Sequence, residues 1–199
     1  MFKPSHPRLI AALMLLVVAL GAAAVLSVNR SAADSNAAPA LPIGTRFDLT
    51  TPDGRRVTDE SYRGKWLLVY FGYTSCPDVC PTTMNEIAGA LNGLGPLADR
   101  VQPLFITLDP ERDTASVMTQ YPKAFDARII GLLGTLQQTA AAAKEYHVYY
   151  AVQDLGNDEH VIDHSSFIYV VNPRGGLAKL LTGDLPGHQL ADELRQLMR

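Results

Sequence analysis

The sequence has little of what proteins use to bind nucleic acids. Of its 199 residues, 20 are acidic and 17 are basic, which gives a net charge of −3. Nucleic-acid-binding proteins neutralise phosphates with clustered Lys and Arg, often interleaved with aromatic residues, and the sequence has no such stripe. It also has no Gly-rich phosphate loop and no internal repeat. We therefore expect no nucleic acid among its partners.

Cysteine is equally scarce, and both cysteines of the chain lie in the segment TSCPDVC. A structural disulfide between Cys76 and Cys80 would close a loop so short that it constrains the unfolded chain little. A chain of this length can also bury a core that folds without such a bond. The two thiols are therefore better explained by chemistry, either disulfide exchange or metal binding.

Charge and proline are both absent from the apolar stretch Leu9–Val28. A helix needs about 20 such residues to cross a bilayer core of roughly 30 Å, so the stretch predicts a transmembrane helix. Lys3 and Arg8 precede it. By the positive-inside tendency they keep the N-terminus in the cytoplasm, so the chain after Val28 is predicted to lie on the other side of the membrane. Small-residue sites such as GAAA leave signal-peptidase cleavage open. The stretch exceeds the usual h-region of about 7 to 15 residues, and we favour an uncleaved anchor.

The remaining sequence divides into a tether and one exported domain. Residues 1–29 form the predicted anchor, residues 30–42 a flexible tether rich in Ala, Ser and Pro, and residues 43–199 the domain. In the domain, apolar runs predict buried strands at 65–73 and 101–109, and a strand at 147–152. Helical spacing predicts helices at 80–94, 114–125 and 135–146 and at the C-terminus, with Pro122 shortening or kinking the second.

Turn signals complete the fold prediction. Pro-Asp-Gly and Asn-Pro-Arg-Gly each separate two short extended runs, which predicts an early and a late hairpin. Strands that alternate with helices and end in a hairpin and a helix indicate an α/β fold with a mixed central sheet flanked by helices. A thioredoxin-like fold fits this order.

Cys76 and Cys80 fall where the first buried strand turns into a helix. Free N–H groups at a helix N-terminus stabilise thiolates, so we expect lowered thiol pKa values and a reactive pair. Residues four apart on a helix face the same side, close enough for a disulfide or for two sulfurs on one ion. The spacing alone does not choose between these uses.

Histidines near the end of the chain can supply further ligands. His160 and His164 precede the penultimate predicted strand, and one or both would give a Cys₂His or Cys₂His₂ set. Zinc fingers place their ligand pairs about a dozen residues apart, much closer than here, so finger-type zinc is disfavoured. Soft thiolates with an imidazole in an exported site suit copper, above all Cu(I).

Three motifs resemble one family. TSCPDVCPTT, ITLDPERDT and DHSSFIYVVNPRG occur in this order behind an N-terminal apolar segment, as in the Sco/SenC family of copper proteins needed for cytochrome c oxidase assembly. The resemblance covers residues from about 40 to the C-terminus. It implies a thioredoxin-like domain in which Cys76, Cys80 and His164 bind one copper ion, as Cu(I) or Cu(II).

The resemblance also implies a function and a location. A metallochaperone of this family delivers copper to the binuclear centre of cytochrome c oxidase subunit II. Its further expected partners are an upstream copper donor protein and a thioredoxin-like reductant. The alternative is a thiol-disulfide reductase that uses Cys76 and Cys80 as a redox dithiol on the acceptor site. A thiol peroxidase ranks third, because no peroxide-activating motif is evident. We expect a single-pass protein of the bacterial inner membrane with its domain in the periplasm.

Neighbouring acidic residues are expected around the metal. Asp78 is interpreted either as tuning the metal or docking a partner, or as an ordinary first-turn acid. Asp109 follows a buried strand and is predicted to support the copper ligands from behind, although DPERDT is also typical of a turn that leads into a helix. Asp113 or Thr114 is predicted to cap the next helix, and we favour Asp113. His160 is predicted to be an exposed loop residue.

Overall fold

The computed structural model describes residues 43–156 and 159–199, so the predicted anchor and tether lie outside the described residues. Within the described part of the chain, no helix combines the length and apolarity that a membrane crossing requires. The described strands are β1 (Asp48–Thr50), β2 (Arg56–Thr58), β3 (Trp66–Gly72), β4 (Val101–Thr107), β5 (Ile130–Leu132), β6 (Tyr150–Gly156), β7 (Glu159–His164), β8 (Phe167–Val171) and β9 (Leu177–Thr182). The α-helices are α1 (Val79–Leu94), α2 (Ala115–Phe125), α3 (Leu136–Glu145) and α4 (Gly187–Leu197), with short 3₁₀ helices at Asp59–Tyr62 and Gly95–Arg100.

A five-stranded mixed sheet forms the centre, in the order β5-β4-β3-β8-β9. β3 runs parallel to β4 and antiparallel to β8, so it lies in the middle of the sheet. All seven of its residues are buried, as expected for a strand covered on both faces. The α/β thioredoxin-like fold with a mixed sheet and flanking helices is thus confirmed.

Two hairpins lie outside this sheet. β1 and β2 pair antiparallel around the predicted Pro-Asp-Gly turn. β6 and β7 form a separate two-stranded sheet in which Tyr150 pairs with His164 and Val152 with Ile162. The sequence predicted a strand at 147–152, whereas the observed strand β6 spans Tyr150–Gly156. It did not predict β7. His160 therefore lies on a strand with a partly buried side chain, and its assignment to an exposed loop is wrong.

Pro122 does not end its helix. α2 ends at Phe125, the predicted end, so Pro122 does not shorten it. The missing N–H of Pro122 would have bonded the carbonyl of Met118. That carbonyl faces Gly131 of β5 so closely that a Cβ at residue 131 would lie 2.5 Å from it. Close packing of α2 on the sheet therefore keeps the helix in place despite the lost bond.

Candidate metal centre

The two cysteines lie at the carboxyl end of β3 and the start of α1. Cys80 is the second residue of α1 and has no exposed surface, while Cys76 lies in the preceding loop and is 8% exposed. The backbone N–H of Cys80 donates to Cys76 Sγ at 3.5 Å, so a free group of the first helical turn points at a sulfur. Both thiols are free. The predicted place of the pair, between a buried strand and a helix, is confirmed.

His164 reaches the cysteines from the last position of β7. Its Nε2 lies 3.4 Å from Cys80 Sγ, although the two residues are 84 positions apart. The two Sγ atoms and one ring nitrogen of His164 all lie within 4.8 Å of one another. Atoms bound to one ion at about 2.0 to 2.3 Å lie at most about 4.6 Å apart, so the three donors need little adjustment to share a metal.

The tautomer of His164 follows from its hydrogen bonds. Nδ1 lies 3.1 Å from the carbonyl oxygen of Ser165, which can only accept, so Nδ1 carries the proton. Burial lowers the pKa of His164 and favours the neutral ring. The lone pair of Nε2 therefore faces Cys80, whose S–H donates to it. A backbone carbonyl that fixes the ring in this way is the usual support of a metal-binding histidine.

The Cys80 thiol is less acidic than its place at a helix N-terminus suggests. Burial raises its pKa to about 12, because the thiolate would lose its hydration. The expected lowering is therefore wrong for Cys80. In the metal-free state this sulfur stays protonated at neutral pH, and a bound cation must displace the proton.

Aromatic rings and one glycine shape the space around the donors. The rings of Tyr70 and Tyr73 both contact the His164 ring edge to face, with centroids 6.3 and 6.0 Å away. Gly72 ends β3 directly below Cys80, and a Cβ there would lie 2.8 Å from Cys80 Sγ and 3.0 Å from the Phe105 ring. The missing side chain at residue 72 thus provides the space for the sulfur.

The predicted acidic neighbours lie in three different places. Asp78 is exposed, and its carboxylate does not cap α1. Asp109 is 3% exposed and accepts hydrogen bonds from Arg112 Nε at 2.5 Å and from His160 Nε2 at 3.2 Å. It does not belong to the three-residue group of ligand atoms found in the described part of the chain.

Asp113 does not cap α2, so the favoured assignment is wrong and the alternative, Thr114, is confirmed. The cap is Thr114, whose hydroxyl accepts from the Val117 N–H. The buried Asp113 carboxylate instead accepts from the Thr74 N–H at 3.1 Å and from the hydroxyls of Thr74 and Thr107. These bonds fasten the loop after β4 to the loop that carries Cys76. The sequence motif ITLDPERDT marked this loop but did not indicate its contacts.

Sequence reasoning also missed the contacts of Arg112 and His160. Arg112 Nη1 donates to the carbonyl of His160 at 2.9 Å, and its guanidinium lies 6.0 Å from the centre of the Tyr73 ring. The motif contains Arg112, but its partner is 48 residues away, on the strand β7 that the sequence did not predict.

Known proteins resemble the whole described domain. The SCO1/SenC family matches residues 35–199. The mitochondrial SCO1 homolog of Homo sapiens is 40% identical over 137 residues, which are 67% of this chain and 45% of the human protein. The mitochondrial SCO2 homolog of Bos taurus is 37% identical over 155 residues, covering 76% of this chain and 58% of its own. The chain therefore spans about half the length of these curated relatives.

Two solved structures are similar in fold and sequence. A crystal structure of Arabidopsis thaliana ScoI with copper bound is 34% identical, with a TM-score of 0.74 over 79% of this chain and 98% of that one. A structure of Bradyrhizobium japonicum ScoI with copper bound is 37% identical, with a TM-score of 0.72 over 77% and 98%. The match over residues 35–199 and the identity to these relatives show that this chain belongs to the SCO1/SenC family.

Proposed function

We propose that this chain binds one copper ion through Cys76, Cys80 and His164 and delivers it to the binuclear copper centre of cytochrome c oxidase subunit II. The observation that carries the proposal is the meeting of these three donor atoms within 4.8 Å. Two thiolates and one neutral imidazole form a soft set that suits Cu(I). Relatives at 34% and 37% identity were solved with copper bound.

The donor set also argues against structural zinc. Structural zinc sites are closed by four ligands. Among the described residues, no fourth His, Cys, Asp or Glu atom joins the group. A three-ligand set leaves a coordination position free for a further ligand, which suits a cation that must be passed on. Copper would here be the cargo, held by Cys76, Cys80 and His164 until a ligand of the partner takes it over.

A groove beside the donors supports docking of a partner. It has a volume of about 540 Å³ and is lined by Asp78, Val79, Thr83, Ser166 and Asp184 among others. Asp78 is exposed and Val79 is 47% exposed. We propose that Asp78 contributes to this docking face. Asp109 instead supports the copper ligands from the side of the domain interior, without binding the metal itself. A small face of this kind favours the transient contact that metal transfer requires.

A second candidate function uses the same thiols as a reductase. Both cysteines are free, and Cys76 is the more accessible sulfur. Its thiolate would attack an acceptor disulfide and release one acceptor thiolate. Cys80 would then attack the mixed disulfide, release the second acceptor thiolate and leave a Cys76–Cys80 disulfide. A thioredoxin-like reductant must restore the dithiol. Copper and the disulfide exclude each other, because both use the same sulfurs.

Location is part of the same proposal. The apolar stretch Leu9–Val28 behind two basic residues supports a single-pass anchor in a bacterial inner membrane. The copper domain would then face the periplasm, where an upstream copper donor and the oxidase subunit are accessible.

Titration of the reduced full chain with Cu(I) tests the proposal. We expect one copper per chain and a marked loss of affinity in His164→Ala, with both thiols still free. His188→Ala is the matched control, because His188 is exposed on α4. Equal stoichiometry and affinity in wild type and His164→Ala would rule out the three-ligand site. Disulfide turnover that is independent of His164 would favour the reductase.

A further inference from the structure

The imidazole of the site is carried by a strand that is not part of the central sheet. His160, Ile162 and His164 alternate along β7, so their side chains share the face that points to the body of the domain. Ile162 is 4% exposed and packs into the core. β7 pairs with β6 in a separate sheet, so other contacts must fix its position relative to the cysteines.

Two such contacts come from the loop after β4. Asp109 accepts from His160 Nε2 at 3.2 Å, and Arg112 Nη1 donates to the His160 carbonyl at 2.9 Å. Arg112 Nε and Asp109 are themselves joined at 2.5 Å. Asp109 and Arg112 therefore hold His160 of β7 through hydrogen bonds to both its side chain and its backbone. We call these three residues the Asp109–Arg112–His160 cluster.

The hydrogen bonds that Asp109 accepts in this cluster are strong because its carboxylate is buried. The Asp109 side chain is 3% exposed and that of His160 is 20% exposed. Hydrogen bonds to a charged group away from water are stronger than neutral ones and are costly to lose. An exposed ion pair would hold the strand far less firmly.

The cluster is also tied to the strand that leads to the cysteines. Asp109 follows β4, whose last residue Thr107 pairs with Gly72 of β3. The Leu108 N–H donates to the Gly72 carbonyl at 2.8 Å. The start of the loop is therefore fixed relative to the strand that ends just before Cys76.

Arg112 reaches His164 by a second route through an aromatic ring. Its guanidinium lies 6.0 Å from the centre of the Tyr73 ring. The same ring packs against that of His164, with centroids 6.0 Å apart. Arg112 thus contacts both β7 and the Tyr73 ring, which packs against the His164 imidazole.

We propose that Asp109 and Arg112 are positioning residues that hold β7 so that His164 Nε2 reaches the two sulfurs. The proposal rests on the proposed copper site and adds what sets its geometry. Neither residue belongs to the group Cys76, Cys80 and His164 whose ligand atoms meet in the described part of the chain. Their effect on copper passes through His164 and disappears when that imidazole is absent.

A double-mutant cycle on Cu(I) affinity tests this dependence. The full chain is reduced, and its affinity is measured anaerobically by competition with bicinchoninate in wild type, Arg112→Ala, His164→Ala and the double variant. Loss of support behind a ligand typically lowers metal affinity about 10- to 100-fold. We expect a loss of this size for Arg112→Ala in the wild-type background, and less than about twofold in the His164→Ala background.

Two further variants separate positioning from charge and from folding. Arg112→Lys keeps the positive charge but not the fork that joins Asp109 to the His160 carbonyl, so we expect it to lose most of the affinity that Arg112→Ala loses. Arg128→Ala removes a comparable guanidinium, paired with Asp126 ahead of β5 at the opposite end of the sheet, and should change affinity by less than about twofold. Circular dichroism shows whether each variant is folded.

The outcomes are distinct. If His164→Ala leaves copper affinity unchanged, the proposed copper site itself fails. If His164→Ala weakens binding but Arg112→Ala does not, or weakens it equally in both backgrounds, the positioning role is overturned and the site remains.

Discussion

The two halves of the candidate site are supported in different ways. The cysteines follow β3, a strand in the middle of the central sheet whose seven residues are all buried. The histidine ends β7, whose hairpin lies outside that sheet and exposes Val152 and Leu155 of β6. Main-chain pairing and core packing fix the sulfurs, whereas side-chain contacts fix the imidazole. A donor set built in this way has a firm thiol pair and a third ligand that can be adjusted without disturbing the core.

The largest effect is expected from the firm half. Cys80→Ala removes one thiolate of the pair, and we expect high-affinity Cu(I) binding to be lost, because one thiolate and one imidazole are a poor site for a soft cation. Measuring the Cu(I) affinity of Cys80→Ala and His164→Ala by the same competition assay shows whether the cysteine pair or the histidine contributes more. A greater loss for His164→Ala than for Cys80→Ala would reverse the comparison.

The next effect tests how closely the sheet fits the sulfur. Gly72→Ala would place a Cβ 2.8 Å from Cys80 Sγ and 3.0 Å from Phe105, so both must move. We expect about 1 to 3 kcal/mol of destabilisation and weaker Cu(I) binding. Urea unfolding and Cu(I) competition measure both effects.

Gly89→Ala is the matched control for this substitution. Gly89 lies inside α1, and a Cβ there would meet its nearest neighbour at 3.8 Å, an ordinary contact. We expect unchanged copper affinity and a gain of about 0.5 to 1 kcal/mol from helix propensity. Equal behaviour of the two alanine variants would contradict the tight fit at Gly72.

Alkaline pH should weaken the reduced, metal-free chain through Cys80. Burial raises the Cys80 pKa to about 12 from an ordinary 9.0. Below pH 9 the thiol is protonated in both states and its contribution to stability is complete. Between pH 9 and 12 the unfolded chain releases a proton that the folded chain keeps, so the free energy of unfolding falls.

The size of this loss follows from the shift. Each pKa unit corresponds to about 1.4 kcal/mol, so Cys80 should contribute a loss of a few kcal/mol near pH 12. Urea unfolding across this range, compared with Cys80→Ala, isolates the contribution from that of the tyrosines. Parallel stability curves for the two proteins would show that the sulfur is not buried as described.

The smallest effect is expected on the outer face of the hairpin. Leu155 of β6 is 61% exposed, so Leu155→Ala should change the free energy of unfolding by less than about 0.5 kcal/mol and leave copper affinity unchanged. Leu68→Ala makes the same chemical change at a fully buried position of β3 and should cost about 2 to 5 kcal/mol. Similar costs in urea unfolding would remove the contrast between the two regions.

The same contrast explains what the sequence could predict. β3 and β4 are buried strands, and their unbroken apolar runs indicated both of them and the cysteine turn that follows. β7 is half exposed and contains only Ile162 as a fully buried side chain, so it lacks the apolar pattern that marks a strand. The motifs named Cys76, Cys80 and His164 as one set, and the structure brings them together.

Other features depended on contacts that no local pattern contains. The raised pKa of Cys80 results from burial by the folded core, whereas the sequence indicated only the helix N-terminus. Asp109, Arg112 and Asp113 each also have a partner that lies 39 to 51 residues away in the chain, so these contacts emerged only from the fold.

X-ray absorption at the copper edge of the Cu(I)-loaded chain tests the central claim most directly. We predict two sulfur neighbours and one nitrogen neighbour per copper, and loss of the nitrogen alone in His164→Ala. A spectrum with sulfur neighbours only, identical in wild type and His164→Ala, would contradict the claim that β7 brings an imidazole to the dithiol.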